Sequence, residues 1–364
     1  MNVLFDGLDI NPVLIDFLSN SEINLLETER KKPFLNSSRY CLPFPLLSFF
    51  NFVYYPESFL KKNSVDLIVS YKVFPLNKTP WISYVEDFHY LNAFYSYFNK
   101  ESFFSRKMNF VGKNLIKNSL NSVSCKKIIC LSNYAKKTVL FGGGKKLEEK
   151  TVVCYPGIKP GKQKKKEKEN ISLLFVATNP VYKGTEFVFL AFKKLKEKYD
   201  IQLNCYGNFS EETKKNFPEI NFDFVSRKEF DKILQKNDIL LMPSLMESFG
   251  FTVLQAFSNS IPVVSSDVMA LPEINKENET GFLIKFSEEY HKKLFFNPYF
   301  FFHESKKLNK EKIVSQLVEK TSLLIEDSSL RKKFGRNAFN EIEKGKFSLK
   351  QKENNMKQIF SELT

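Results

Sequence analysis

The sequence predicts an α/β protein with two Rossmann-like, doubly wound domains. Its 364 residues are more than one compact core usually accommodates, and they suit two domains. Short apolar segments alternate with amphipathic segments, which is typical of parallel sheets that are covered by helices on both faces. A segment without apolar residues, KQKKKEK at 162–168, has nothing to bury and is expected to connect the two halves.

The same observations set the expected domain boundaries. We expect a reduced N-terminal domain over residues 1–160, a charged linker over 161–170 and a second domain over 171–340. Residues 341–364 are expected to form a C-terminal helix that packs back on the first domain.

Hydrophobic patterning places the elements in order along the chain. In the first half we expect strands at 65–70, 81–86, 126–132 and 150–156, with helices at 102–120 and 133–140. In the second half we expect strands at 171–177, 201–207, 222–225, 239–244 and 261–266, with helices at 186–198, at 229–236 and from about 252. Residues from 312 onward are expected to be helical throughout.

The charge balance limits the possible partners. The formal net charge is +14, which would suit nucleic acid, an anionic membrane surface or phosphorylated substrates. Much of this charge lies in a basic run over residues 100–146. No nucleic-acid-binding fold or stacking motif accompanies the run, so nucleic acid is not expected as a partner. Adhesion to anionic lipid headgroups and a merely solvated basic face both remain open.

Other features concern the cellular compartment. None of the five cysteines forms a CxxC pair, which favours buried free thiols in a reducing compartment. Asp6 and Asp9 interrupt any early apolar run, so no secretory signal is expected. The apolar segment 40–56 is short for a membrane span and contains three prolines. We therefore expect a cytoplasmic protein, peripheral at the inner face of the membrane.

The segment 243–284 carries the clearest indication of function. A buried strand is followed by a short loop and by a helix that starts near Phe251 or Thr252. Free amides at a helix start, together with the helix dipole, favour a phosphate or another anion. In doubly wound sheets, ligands bind beyond the carboxyl ends of the strands, where this loop belongs. The candidate residues of the loop are Glu247, Ser248, Phe249 and Gly250.

This segment resembles the retaining glycosyltransferases of family 4, also described as glycosyl transferases group 1, which have the GT-B fold. Its PSLMESFG sequence matches their P-S-x-x-E-x-F-G pattern, with Glu247 as the first acidic residue and Gln255 at the second acidic position. The resemblance implies that Glu247 contacts the donor sugar, that Gln255 binds the ribose hydroxyls, and that Ser248, Phe249, Gly250, Phe251 and Thr252 line the donor site. Asn259 stands near a usual glycine, and we expect it at positive φ.

Upstream, Lys183 and Gly184 match the Lys-Gly pair that holds the donor diphosphate in this family. The family's arginine position falls at Thr178 or Asn179, so that charge is missing unless another cation such as Arg227 replaces it.

The resemblance is weaker in the first half, where the family's glycine-rich opening loop is absent. Many members carry a histidine about six residues past a strand-opening proline, and counting from Pro80 gives Glu86, with His89 nearby. Glu86 would orient an acceptor hydroxyl or act as a base. The alternative is that these are ordinary polar residues at a strand end.

The resemblance implies transfer of a sugar from a nucleotide-sugar donor to a glycan or lipid-linked acceptor, between two domains that face each other across a cleft. No metal or other cofactor is expected, and the sequence contains no Asp-x-Asp metal motif. Two alternatives stay open: a non-catalytic binding or partner subunit, which Gln255 and the missing arginine favour, and a sugar-nucleotide epimerase. The aromatic and lysine-rich segment 290–310 suits either a membrane interface or the core.

Overall fold

The computed structural model describes residues 2–7, 24–27, 52–53, 57–71, 74–91, 103–161, 170–224, 229–296 and 305–363. The chain forms two compact units, one made of Met1–Pro156 with Glu353–Thr364 and the other of Gly157–Lys352. Cys41, Arg227, the segment 162–168 and most of the apolar segment 40–56 lie outside the described residues.

The first unit is built on a parallel sheet. Its strand order is β2-β1-β4-β6-β7-β8, and a separate two-stranded sheet pairs β3 with β5. The strands are β1 Asn2–Gly7, β2 Asn24–Glu27, β3 Phe52–Val53, β4 Leu67–Tyr71, β5 Phe74–Pro75, β6 Trp81–Val85, β7 Cys125–Cys130 and β8 Thr151–Val153. The four strands expected from the sequence are present as β4, β6, β7 and β8, whereas β1, β2, β3 and β5 had not been predicted.

Three helices and two 3₁₀ turns accompany these strands in the described part of the first unit. They are α1 Glu57–Lys62, α2 Phe103–Asn121 and α3 Asn133–Gly143, with 3₁₀ turns at His89–Leu91 and Lys145–Lys150. Helix α3 starts at a well-formed cap, because the Ser132 side chain accepts a hydrogen bond from the Ala135 amide at 3.0 Å. The core beneath the helices is mainly aliphatic, and within it the rings of Phe74 and Trp81 meet edge to face.

Residues from the end of the chain complete this first unit. Helix α12 (Leu349–Ser361) brings Met356 into its core, where the buried Tyr84 hydroxyl donates to the methionine sulfur at 3.1 Å. Burial raises the pKa of Tyr84 well above its ordinary value. Lys127 and Glu362 form an ion pair at 2.5 Å near the surface.

The second unit is a six-stranded parallel sheet of order β11-β10-β9-β12-β13-β14. Its strands are β9 Ile171–Ala177, β10 Ile201–Gly207, β11 Asn221–Asp223, β12 Ile239–Met242, β13 Val263–Ser266 and β14 Gly281–Ile284. The helices of this unit are α4 Thr185–Lys196, α5 Glu211–Asn216, α6 Phe230–Leu234, α7 Phe251–Ser258, α8 Leu271–Ile274, α9 Glu288–Phe296, α10 Lys310–Glu326 and α11 Ser328–Glu343, and the first four residues of α12 also belong to it. The doubly wound α/β class is thus confirmed.

The order in which successive strands are added to this sheet reverses between β9 and β12, which are neighbours in the sheet. From β9 the sheet extends one way through β10 and β11, and the other way through β12, β13 and β14. The carboxyl ends of β9 and β12 therefore flank a topological switch point, where open α/β sheets bind their ligands. The loops 178–184 and 243–250, which follow these two strands, are placed at this point.

Some expectations from the sequence need correction. Asn259 has φ −109° and uses its side chain to donate to the Gln255 carbonyl at 3.1 Å, while the next residue, Ser260, takes the positive φ of 60°. The expected strand at 222–225 is present as the shorter β11. Cys125, Cys130, Cys154 and Cys205 are free and buried, as expected. Within the described ranges, no helix is long and apolar enough to cross a membrane.

Candidate functional site

The loop after β9 is a compact turn that presents Lys183. The amide of Lys183 donates to the Asn179 carbonyl at 3.2 Å, and Thr185 closes the turn with its amide and its hydroxyl, both donated to the Pro180 carbonyl. Gly184 precedes α4 with φ 74°, and a Cβ there would come too close to the carbonyl oxygen of Pro243. Only glycine therefore allows the two loops at the switch point to approach this closely.

The loop after β12 presents Glu247 to the same point. The Leu245 amide donates to the Tyr182 carbonyl at 2.8 Å, which ties the two loops together through their backbones. The amide of Glu247 lies 3.3 Å from the sulfur of Met269, which has a positive φ of 51°. Beneath the loop, the buried Tyr290 hydroxyl donates to the Leu245 carbonyl at 2.9 Å. Tyr290 is therefore a core residue, whereas residues 297–304 of the same aromatic segment lie outside the described part.

Lys183 and Glu247 form an ion pair across the switch point. Their side chains are only 18% and 12% exposed, so both charges are largely shielded from solvent. The two residues are 64 positions apart, and only the strand order brings them together. An anion that binds Lys183 here must compete with Glu247 for the ammonium group.

The start of helix α7 completes this site. Gly250 caps the helix with φ 108°, and a Cβ there would lie 2.8 Å from Cδ2 of Leu271. The first amides of an α-helix have no carbonyl partner within the helix, so those of Phe251 and Thr252 suit an anion. Phe249 is buried, and its ring packs against that of Phe251 with centroids 4.9 Å apart. These contacts fix the direction in which the helix begins.

Gln255 lies on the same face of α7 as the first residues of the helix. Phe251, Thr252 and Gln255 are half-buried, whereas the other residues of the helix are buried. This spacing of three and four residues puts them on one side of the helix. Ser248 is also half-buried, in the loop before the helix. The structure thus gathers the second-half candidates Lys183, Gly184, Glu247, Ser248, Phe249, Gly250, Phe251, Thr252 and Gln255 around one end of the sheet.

Glu86 belongs to the first unit, at the carboxyl end of β6. It is half-buried and accepts a hydrogen bond from the Tyr71 hydroxyl, which comes from the end of the neighbouring strand β4. Asp87 and His89 follow it and are buried. Sequence reasoning did not single out Tyr71 or Met269. Tyr71 could have been found from the rule that parallel strands end at one edge, whereas nothing in the sequence indicates the position of Met269.

Solved structures of known proteins share this fold. The chain aligns over its full length with a glycosyltransferase from Rickettsia africae, at 15% identity and a TM-score of 0.67, covering 98% of that chain. It also aligns over 99% of its length with 99% of an Anabaena protein solved with UDP and glucose, at 13% identity and a TM-score of 0.64. The fold is therefore the GT-B fold of glycosyltransferases.

Sequence comparisons show a similarity between the second unit and a known family. Residues 158–294 match the family described as glycosyl transferases group 1. An uncharacterized 41.2 kDa protein of the cps region of Klebsiella pneumoniae is 30% identical over 135 residues, 36% of this chain and 37% of that protein. An uncharacterized glycosyltransferase of Methanocaldococcus jannaschii is 26% identical over 246 residues, 65% of this chain and 60% of its own length. The chain thus aligns with less than two thirds of these curated relatives. Residues 158–294 therefore resemble the glycosyl transferases group 1 family.

Proposed function

We propose that this protein is a retaining glycosyltransferase that moves a sugar from a nucleotide-sugar donor to a glycan or lipid-linked acceptor. The observation that carries the proposal is the Lys183–Glu247 pair at the switch point, within the segment that matches the glycosyltransferase family. A cation, a carboxylate and a helix start at one strand edge supply groups for a diphosphate and for a sugar.

Lys183 and the amides at the start of α7 are the proposed diphosphate site. When the bond between the anomeric carbon and the diphosphate breaks, negative charge accumulates on the leaving phosphate oxygen. An ammonium group and oriented amides in a largely shielded site stabilise such charge. These groups carry the role that a metal ion has in other enzymes, so we propose that transfer needs no metal. Activity that persists after dialysis against EDTA would support this, and activity restored only by a divalent cation would contradict it.

Glu247 is the proposed contact to the donor sugar, and Gln255 the proposed contact to the ribose. Once Lys183 moves to the diphosphate, the Glu247 carboxylate is released to accept hydrogen bonds from sugar hydroxyls. Gln255 offers a neutral amide in place of a carboxylate. The amide oxygen forms a weaker hydrogen bond with a hydroxyl than a carboxylate does. We therefore expect Gln255→Glu to lower the Kd for the nucleotide, measured by calorimetry.

On the acceptor side, Glu86 is the proposed group that receives or orients the acceptor hydroxyl. Its carboxylate already accepts the Tyr71 hydroxyl, so it can take a hydrogen bond from a second hydroxyl on its remaining lone pairs. In the transfer, the acceptor oxygen forms a bond to the anomeric carbon and its proton passes to Glu86. Glu86→Gln is expected to lower kcat with little change in nucleotide binding.

The basic run of the first unit is proposed to adhere to anionic lipid headgroups at the inner face of the membrane. Helix α2 contains basic residues and no acidic residue. Phe110 is 69% exposed on this helix, and Val123 and Phe141 are exposed near its end and on α3. Apolar and basic groups together suit a membrane surface. Cosedimentation with vesicles of phosphatidylcholine, with and without phosphatidylglycerol, tests this. Binding that needs the anionic lipid supports it, and equal pelleting with both overturns it.

The first test of the proposed function is thermal unfolding of the purified protein with UDP, GDP, ADP and their common sugar conjugates. A ligand at about 100 times its Kd stabilises the folded state by roughly 2.7 kcal/mol. We expect one nucleotide family to raise the Tm, Lys183→Met to abolish this shift, and Lys194→Met to keep it. Lys194 is the matched control because it is an exposed lysine in α4, a few residues along the chain.

Turnover distinguishes the proposal from its alternatives. The donor found by unfolding is incubated with and without a lipid extract, and nucleotide release and product anomers are followed by NMR. Acceptor-dependent transfer with retained configuration supports the proposal. A donor altered without acceptor indicates the epimerase, and binding without turnover indicates a partner subunit. The replacement of the second acidic residue by Gln255 is the observation that favours the partner subunit.

A further inference from the structure

The carboxyl end of β6 carries two adjacent acidic residues in very different surroundings. Glu86 is half-buried and accepts the Tyr71 hydroxyl. Asp87 is only 1% exposed, and its Oδ1 accepts the amide of His89 at 2.8 Å, which shapes the turn that leaves the strand. A buried carboxyl directly beside the proposed acceptor group has no part in the reaction described above.

Helix α3 holds this turn from one side. The amide of Phe88, between Asp87 and His89, donates to Oγ1 of Thr138 at 3.1 Å, and this hydroxyl in turn donates to the Ala135 carbonyl at 2.9 Å. The Phe88 ring is itself buried in the core. The backbone that follows Glu86 is therefore fixed at two successive amides, by Thr138 and by Asp87.

Among the described residues, the charged and titratable groups that act on Asp87 come from three elements. They are Glu86 on its own segment, Tyr134 on α3 and Lys113 on α2. His89 follows on the same segment and contacts Asp87 through its backbone amide. Burial raises the pKa of Asp87 from its ordinary 3.8 to about 7, the His89 amide and the Thr138 hydroxyl lower it, Glu86 raises it, and Lys113 lowers it. Burial also raises the pKa of Tyr134, and the charge of Asp87 adds to this.

We propose that Asp87 is a positioning residue for the acceptor side of the reaction: it fixes the turn that orients Glu86, and its buried carboxyl group places a second, pH-dependent charge beside Glu86. This inference rests on the proposed function of Glu86. When Asp87 carries its proton, this pair of neighbouring carboxyl groups contributes one negative charge, on Glu86. When Asp87 loses it, two negative charges lie at the strand end, and the proton that leaves the acceptor is attracted there more strongly.

The test is the pH dependence of acceptor turnover between pH 5.5 and pH 9. In the wild-type protein, kcat is expected to rise through an ionisation near pH 7. Asp87→Asn keeps an oxygen that can accept the His89 amide, but this side chain does not titrate. The ionisation near pH 7 should therefore disappear from the kcat profile, and kcat above pH 7 should fall at least about threefold. The donor Kd should be unchanged. Glu149→Gln is the control, since Glu149 is an exposed acidic residue of the same unit.

A second pair of variants tests the same inference without altering Asp87. Lys113→Met removes a positive charge that favours the ionised carboxylate, so the midpoint of the profile should move up by about half a pH unit or more. Lys117→Met, one turn further along α2 and exposed, should leave the midpoint in place. A shift of this size in Lys113→Met alone supports the proposal.

The outcomes separate the inference from the function on which it rests. An Asp87→Asn profile identical to that of the wild type, or a Lys113→Met midpoint that does not move, overturns the role of Asp87 while the enzyme stays active. A wild-type protein without turnover removes the proposed function. In that case, NMR titration of ¹³C-labelled aspartate carboxyls still shows whether one signal titrates near pH 7 and is lost in Asp87→Asn; absence of that signal overturns the inference independently.

Discussion

Removing the charge of Glu247 is expected to tighten the binding of a nucleoside diphosphate rather than weaken it. Lys183 is held by Glu247 in a pair whose side chains are 18% and 12% exposed. A diphosphate must take the ammonium group from that carboxylate and is repelled by it as well. Glu247→Gln removes both costs and keeps the size of the side chain.

The magnitude follows from the burial of the pair. Contacting charges are coupled by about 0.5–3 kcal/mol in double-mutant cycles, with exposed pairs at the low end. For a pair that is largely but not completely buried, we take about 1 kcal/mol, which corresponds to roughly a fivefold lower Kd. Lys183→Met should raise the Kd instead. In the double variant, Glu247→Gln can no longer release the ammonium group of Lys183, so it should lower the Kd less than it does in the wild-type protein.

Isothermal titration calorimetry at constant ionic strength measures these changes, using the nucleoside diphosphate identified by thermal unfolding. Glu219→Gln serves as the control, because Glu219 is exposed in the same unit. An unchanged or higher Kd in Glu247→Gln would refute the reasoning, since it would mean that the diphosphate does not compete with Glu247 for Lys183.

Three further predictions concern stability. The pKa of Asp87 rises from 3.8 to about 7 on folding, so the wild-type protein loses stability as the pH increases between these values. Asp87→Asn should therefore raise the free energy of unfolding, measured by urea denaturation, by up to about 4 kcal/mol at pH 8 and hardly change it at pH 4. Gly250→Ala should lower the Tm more than Gly144→Ala, because both glycines have φ near 100° but only a Cβ at Gly250 would lie 2.8 Å from a side-chain carbon. Equal decreases of the Tm in the two variants would contradict this. Tyr290→Phe should cost about 1–2 kcal/mol in urea denaturation because it leaves a carbonyl of the Glu247 loop without its donor; a cost near zero would show that this bond does not hold the loop.

The sequence predicted those elements whose pattern is local and strong. Strands β9 and β10 were expected at 171–177 and 201–207, the ranges that they occupy. Strand β9 is almost continuously apolar, as is typical of a buried parallel strand, whereas β10 alternates apolar and polar residues over its first five positions. Strand β14 was not predicted, because it begins with a glycine and its four residues are too few to show a period. Strand β2 is equally short.

The candidate site was predictable as a set of residues but not as an arrangement. The helix start at Gly250 follows from the local sequence, since glycine before an amphipathic segment indicates a helix terminus. The ion pair between Lys183 and Glu247 does not, because it depends on β12 pairing with the distant β9 rather than with β11, the strand that precedes it in the chain. The burial of Asp87 depends likewise on α2 and α3, which follow it at a distance.

The return of Glu353–Thr364 to the first unit has a consequence for biosynthesis. The second unit is encoded between the two pieces of the first, so it can fold on the ribosome as an uninterrupted stretch. Met356 and Glu362 cannot join the first unit until the intervening segment 157–352 has been translated. Translation of this segment takes about 10–40 s at about 5–20 residues per second. During that interval the pocket for Met356 beside Tyr84 stays unfilled, so the first unit completes its core only after the second unit has been synthesised.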